Sequence, residues 1–137
     1  VNEGKLVDIL DELKKECVAN EEKIRRSLDL SEAEYNGLLC LNKGEKITCQ
    51  EFSARMNLSV SRGSRVIDML FEKGYLDRVD CFEDRRCKNV KLTNNGTAIR
   101  RKIDSHRQDR EQKLVADYSE QKLAMLKKEL RRLIVKY

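Results

Sequence analysis

Apolar positions between residues 5 and 28 fall at helical spacing. Leu6, Leu10, Leu13, Cys17, Ile24 and Leu28 form a narrow stripe, with Ile9 and Val18 beside it and Asn20 interrupting it. The tail from 119 to 137 repeats the pattern with Leu123, Leu126, Leu130, Leu133 and Tyr137. A helix cannot bury such a stripe against itself, so each needs a partner surface. That surface is either the rest of the same chain or a second copy. The sharper expectation is that both arms build a dimer.

Between the arms the punctuation is dense. Ser31-Glu32-Ala33-Glu34 is an S-x-x-E capping box opening a helix through Leu38, Leu39 and Leu41. Thr48-Cys49-Gln50-Glu51 reads as a second box, opening a short helix with Phe52 and Met56 inside. Ser59 caps a third helix, with Val60, Val66, Ile67, Leu70 and Phe71 as its apolar face. Gly74 then stands at C′, where a left-handed residue ends a helix. Helices of about 13, 8 and 15 residues with tight links make a helix-turn-helix unit.

The period then shortens. Tyr75 to Cys81 reads partly as a strand, and Cys87 to Leu92 alternates apolar and polar across the charged run Glu83-Asp84-Arg85-Arg86. Two short strands joined by such a turn form a hairpin. Thr93 caps a long helix carrying Ile99 and Ile103. The expected fold is therefore mainly α with a small β-hairpin wing. Residues 1–30 form an N-terminal dimerisation helix, and 31–93 a winged helix-turn-helix domain. Within that domain the recognition helix covers about 59–73 and the wing about 75–92. Residues 94–137 form C-terminal dimerisation helices.

Composition narrows the setting. The 137 residues contain no Pro, which suits uninterrupted helices. No apolar run approaches the ~20 residues that span a bilayer, and no apolar leader follows a basic start, so nothing marks the chain for secretion. Its odd number of scattered cysteines suits a reducing cytoplasm, which is the expected location. Net charge is +5, unevenly placed: −4 over residues 1–34, +3 over 35–93 and +6 over 94–137. Arms of opposite sign favour meeting one another.

Base readout is expected on the third helix, whose outer side carries Ser61, Arg62, Ser64, Arg65, Asp68 and Met69. Arg62 and Arg65 lie at i,i+3 and present two guanidinium forks near the helix start. Such forks grip guanine bidentately in a major groove, while serines take phosphate or a base edge. A solvated face with two incidental arginines is the plain alternative. Arg85 and Arg86 at the hairpin tip supply a second basic element suited to a narrow minor groove. There Asp84 would orient a guanidinium instead of touching DNA.

The stretch from Leu30 to Ile103 resembles the MarR family of transcriptional regulators. The likeness rests on LSEAEYNGLLCL, on ITCQEFSARMNLSVSRGSRVIDMLFEKGYLDR and on DRRCKNVKLTNNG. The last block carries a D-x-R wing signature followed by L-T-x-x-G, here Asp84, Arg86, Leu92, Thr93 and Gly96. This resemblance implies a homodimer with interlocked first and last helices, bound to double-stranded DNA. Ser61, Arg62, Ser64 and Arg65 would enter the major groove and Arg86 the minor groove, with Asp84 holding Arg86. The operator would be a pseudo-palindrome with half-sites about one helical turn apart. Repression, relieved by a small-molecule effector or an oxidant, is the family's usual mode. One departure is Gly63, where the family usually carries an apolar core residue.

Five cysteines are scattered without a C-x2-C pair, against a disulfide framework or a zinc ribbon. Cys81 and Cys87 flank the wing turn, and facing hairpin positions about 4.5–5.5 Å apart are within disulfide reach. They are the possible redox pair; two ordinary thiols are the plain alternative. Cys17, Cys40 and Cys49 are expected in the core. His106, the one imidazole, sits on a polar helix without a readable nucleophile or metal partners, so no catalytic residue, metal site or cofactor is expected. A winged-helix module that binds another protein and not DNA is the alternative function.

Overall fold

The computed structural model describes residues 4–80 and 88–137. The elements run α1 (Leu6–Ser27), α2 (Glu32–Leu39), β1 (Ile47–Thr48), α3 (Cys49–Arg55), α4 (Val60–Glu72), β2 (Leu76–Asp80), β3 (Lys88–Leu92), α5 (Asn94–Val115) and α6 (Glu120–Val135). Two compact units divide the chain, Val1–Ile103 and Asp104–Tyr137.

The capping chemistry is largely as the sequence dictates. Ser31 Oγ accepts from the Glu34 amide at 3.1 Å, and the Glu34 carboxylate accepts from the Ser31 amide at 2.9 Å, completing the box. Ser59 Oγ accepts from the Arg62 amide at 3.2 Å, and Gly74 follows α4 at φ +78°. The second box is only half made. Thr48 Oγ1 accepts from the Glu51 amide at 3.0 Å, but the Glu51 carboxylate turns to Arg55 at 3.1 Å.

Helix α2 stops after 8 residues, short of the expected 13 or so. Two causes act together. The polar Asn42-Lys43-Gly44-Glu45 segment folds as a turn, with Gly44 at φ +77° and the Glu45 amide on the Asn42 carbonyl at 3.1 Å. Arg100, reaching in from α5, donates to the carbonyls of Leu38 (2.9 Å), Leu39 (3.3 Å) and Leu41. A guanidinium there satisfies carbonyls that a helix end leaves open and opposes the negative end of its dipole.

The core gathers Tyr35 and Leu38 of α2, Phe52 of α3, Leu70 of α4, Val90 of β3 and Ile103 of α5, none more than 1% exposed. The sheet has three strands in the order β1-β3-β2. The hairpin pairs Leu76 with Leu92 and Arg78 with Val90, while β1 adds Ile47 opposite Val90 on the other edge of β3. With two residues, β1 is too short for alternation to reveal it in sequence.

The arms behave differently from the core. On α1 only Ile24 is buried, and Leu6, Val7, Ile9, Leu13 and Val18 are about half exposed. No residue of α6 is buried, and Met125, Ile134 and Val135 are more exposed still. Cys40 and Cys49 pack half-buried against the core, and Cys17 is half-buried on α1, so none is the fully enclosed thiol expected. Burial pushes the Cys40 thiol above its ordinary pKa, outweighing the pull of Arg55 and Arg100. Among the described residues no helix is long and apolar enough to cross a membrane.

Candidate nucleic-acid interface

Helix α4 turns Gly63, Val66, Ile67 and Leu70 into the core, as its apolar spacing requires. Val60 and Phe71, expected on the same face, are 51% and 46% exposed. Val60 is the first residue of the helix, and Phe71 lies at the edge of the stripe, one residue beyond Leu70. The opposite side presents Ser61, Arg62, Arg65 and Asp68 to solvent, with Ser64 half-buried beside them. Neither the Arg62 nor the Arg65 guanidinium pairs with a carboxylate among the described residues.

That freedom contrasts with cations nearby that are already paired. Arg55 joins the Cys40 carbonyl at 2.9 Å to the Glu45 and Glu51 carboxylates. Lys73 Nζ, at the C-terminal end of α4, meets the Glu34 carboxylate at 2.9 Å and the Asp29 carbonyl at 2.7 Å. Arg78 of β2 pairs with Asp68 and lies 4.8 Å from the centroid of the Phe71 ring. Sequence reasoning passed over these anchors. Glu34 was legible as half of a capping box and Gly74 as a helix end, but nothing local joins Glu34 to Lys73, so far along the chain.

Glu34 is 5% exposed, and burial alone would raise its pKa. Hydrogen bonds from Lys73 and Ser31, with the Lys73 charge, overcome that and hold it below the usual carboxylate range. Its contribution to stability is therefore present at neutral pH and lost as pH falls through the lowered value. Glu34→Gln keeps the cap acceptor and removes the charge. We expect a loss of about 1–2 kcal/mol at pH 7, since Lys73 is partly solvated. Urea titrations at pH 7, 5 and 3 should show the gap between variant and wild type closing toward acid. An equal gap at all three would refute the role of the ion pair.

Thr93, Gly96 and the Gly74-Tyr75 turn make one joint beneath the hairpin. The Thr93 amide donates to the Tyr75 carbonyl at 3.1 Å, and Thr93 Oγ1 donates to the Gly74 carbonyl. The same Oγ1 caps α5 by accepting from the Gly96 amide at 2.9 Å. This is the physical content of the L-T-x-x-G motif: it ties the first turn of α5 to the end of α4.

Of the other sequence-derived positions, Asp84, Arg85, Arg86, Cys81 and Cys87 lie outside the described residues. His106 is exposed on α5. Among the described residues no group of three or more His, Cys, Asp or Glu side chains is placed to hold a metal ion.

Residues 30–88 match the model of the MarR family. The transcriptional repressor MprA of Escherichia coli (strain K12) is 25% identical over 93 residues, 66% of this chain and 53% of MprA. The chain thus spans about half the length of the curated relatives it matches. FabT of Streptococcus pneumoniae, solved in complex with DNA, has a TM-score of 0.83 at 24% identity, covering 94% of this chain and 92% of its own. A mutant MarR from Escherichia coli has a TM-score of 0.72 at 26% identity, covering 98% of this chain and 97% of its own. Capped helices, α4 and the L-T-x-x-G joint stand in one order on that fold, and the match to the MarR family covers 59 of the 137 residues.

Proposed function

We propose that the chain is a sequence-specific regulator of transcription that binds double-stranded DNA as a homodimer in the cytoplasm. The carrying observation is the outer face of α4, where Arg62 and Arg65 stand exposed and uncommitted on a helix fixed from behind by the core. MarR-family transcription regulators are not enzymes. In this reading Ser61, Arg62, Ser64 and Arg65 read the major groove, and Arg85 and Arg86 reach the minor groove with Asp84 orienting Arg86. The homodimer is supported by the exposed apolar stripes of α1 and α6, the kind of surface that marks a protein–protein contact. Residues 1–30 and 94–137 serve as its dimerisation arms around a winged domain at 31–93. The regulator acts as a repressor on a pseudo-palindromic operator, and a small molecule or an oxidant releases it. Cys81 and Cys87 are the candidates for the oxidant trigger on their spacing alone.

Fluorescence anisotropy with duplexes selected from genomic DNA tests this reading. Affinity should fall steeply with salt, each phosphate contact adding nearly one unit to the log–log slope. Arg65→Ala should relax base preference at one position of the half-site, at a cost of about 1–3 kcal/mol. Arg86→Ala should weaken binding across most sequences. A flat salt response, or no shift of any duplex, would favour a protein-binding module instead.

A further inference from the structure

Three side chains around the base of β2 are out of place by ordinary rules. Alternation puts Arg78 in the same inward row as Leu76, opposite Val90 and beside Leu92, all three buried. An apolar residue belongs there. Asp68 lies at i+3 from Arg65 and at i+7 from Ser61 on the outer side of α4, where a carboxylate repels phosphate. Phe71 leaves a large ring about half exposed on the same helix. One contact accounts for all three: the Arg78 guanidinium pairs with Asp68 and lies over the Phe71 ring, 4.8 Å from its centroid.

Asp68 is 61% exposed, and an ion pair that open to solvent adds little to stability. Its geometry is the more informative property. It joins the outer side of α4 to the strand that leads into the hairpin, through a planar donor that fixes direction as well as distance. It also neutralises the one carboxylate on the α4 face among Ser61, Arg62, Ser64 and Arg65.

We propose that Asp68, Arg78 and Phe71 form a clamp that positions β2 against α4, so that the recognition helix and the hairpin engage one duplex in a single register. Arg78 is then a positioning residue for sequence discrimination and not a phosphate contact. This inference rests on the DNA-binding reading above.

The experiment compares the full chain with Asp68→Asn, Arg78→Met and the double variant on two duplexes. One is recovered by selection from random-sequence DNA with the wild-type protein, and the other is its scrambled counterpart. Each single variant should lose about 10-fold in affinity for the selected duplex and stay within about 2-fold on the scrambled one. The double variant should be no worse than either single, because the clamp is lost once. Thermal midpoints should stay within about 2 °C of wild type. If Arg78 held phosphate directly, Arg78→Met would weaken both duplexes alike and Asp68→Asn would strengthen both, and the clamp would be rejected. A loss of affinity matched by a fall in thermal midpoint would reject it too, as plain destabilisation. Absence of any salt-dependent duplex binding by the wild type would instead overturn the DNA-binding reading, before the variants are compared.

Discussion

Gly96→Ala is expected to destabilise the protein by about 2–3 kcal/mol, although the same exchange inside an ordinary helix stabilises it by up to about 1 kcal/mol. The reversal comes from backbone proximity. A Cβ at position 96 would stand 2.0 Å from the Tyr75 carbonyl oxygen and 2.9 Å from its carbon. Neither atom belongs to a side chain that can swing away. Relief requires the first turn of α5 to move off the α4–β2 turn, and that movement breaks the Thr93 amide bond to Tyr75. Overpacking of about 1–3 kcal/mol and a lost hydrogen bond of about 1 kcal/mol outweigh the helix-propensity gain. At roughly 3–5 °C per kcal/mol for a chain of this size, the thermal midpoint should fall by about 6–15 °C. Asn95→Ala, one residue earlier and exposed, should change stability by no more than about 0.5 kcal/mol. Thermal and urea unfolding of both variants decide the matter. A Gly96→Ala protein as stable as wild type would show that the joint has slack.

The contrast between those neighbours shows what was readable in the chain. Caps were legible because Ser31, Ser59 and Thr93 each act on a backbone group three residues away. The turn at Gly74 was legible because a positive φ has a strong compositional signature. Arg62 and Arg65 could be assigned to the outer side of α4 because helical spacing alone fixes a face. Contacts across the fold leave no such trace. Lys73 finds Glu34, and Arg100 finds the end of α2, only once the core has brought distant segments together. Arg78 even misleads a local reading, because it breaks the alternation of a strand whose inward row it occupies.

Gly63→Ala should harm both stability and DNA recognition, and the two losses should be separable by a second change. A Cβ at 63 would lie 1.8 Å from Ser53 Oγ, 2.6 Å from its Cβ and 3.0 Å from its Cα. Ser53 has little room to yield, being 1% exposed with its hydroxyl donating to the Cys49 carbonyl at 2.8 Å. Here α3 and α4 approach more closely than any residue but glycine permits. Pushing α4 off α3 should cost about 1–3 kcal/mol in urea unfolding. The same push moves Arg62 and Arg65 relative to the rest of the domain. Misplacing one bidentate base contact, worth about 1–3 kcal/mol, should lower affinity for a selected duplex on the order of 10-fold. Adding Ser53→Gly to Gly63→Ala removes the hydroxyl and the Cβ from the collision and leaves only the backbone of residue 53 close by, at 3.0 Å. The double variant should therefore regain most of the duplex affinity. It should remain less stable than wild type, because it gives up the Ser53 bond and adds a flexible residue to α3. Recovery of affinity without full recovery of stability would show that helix spacing at Gly63 sets the pose of α4. Equal loss in the single and double variants would rule that out.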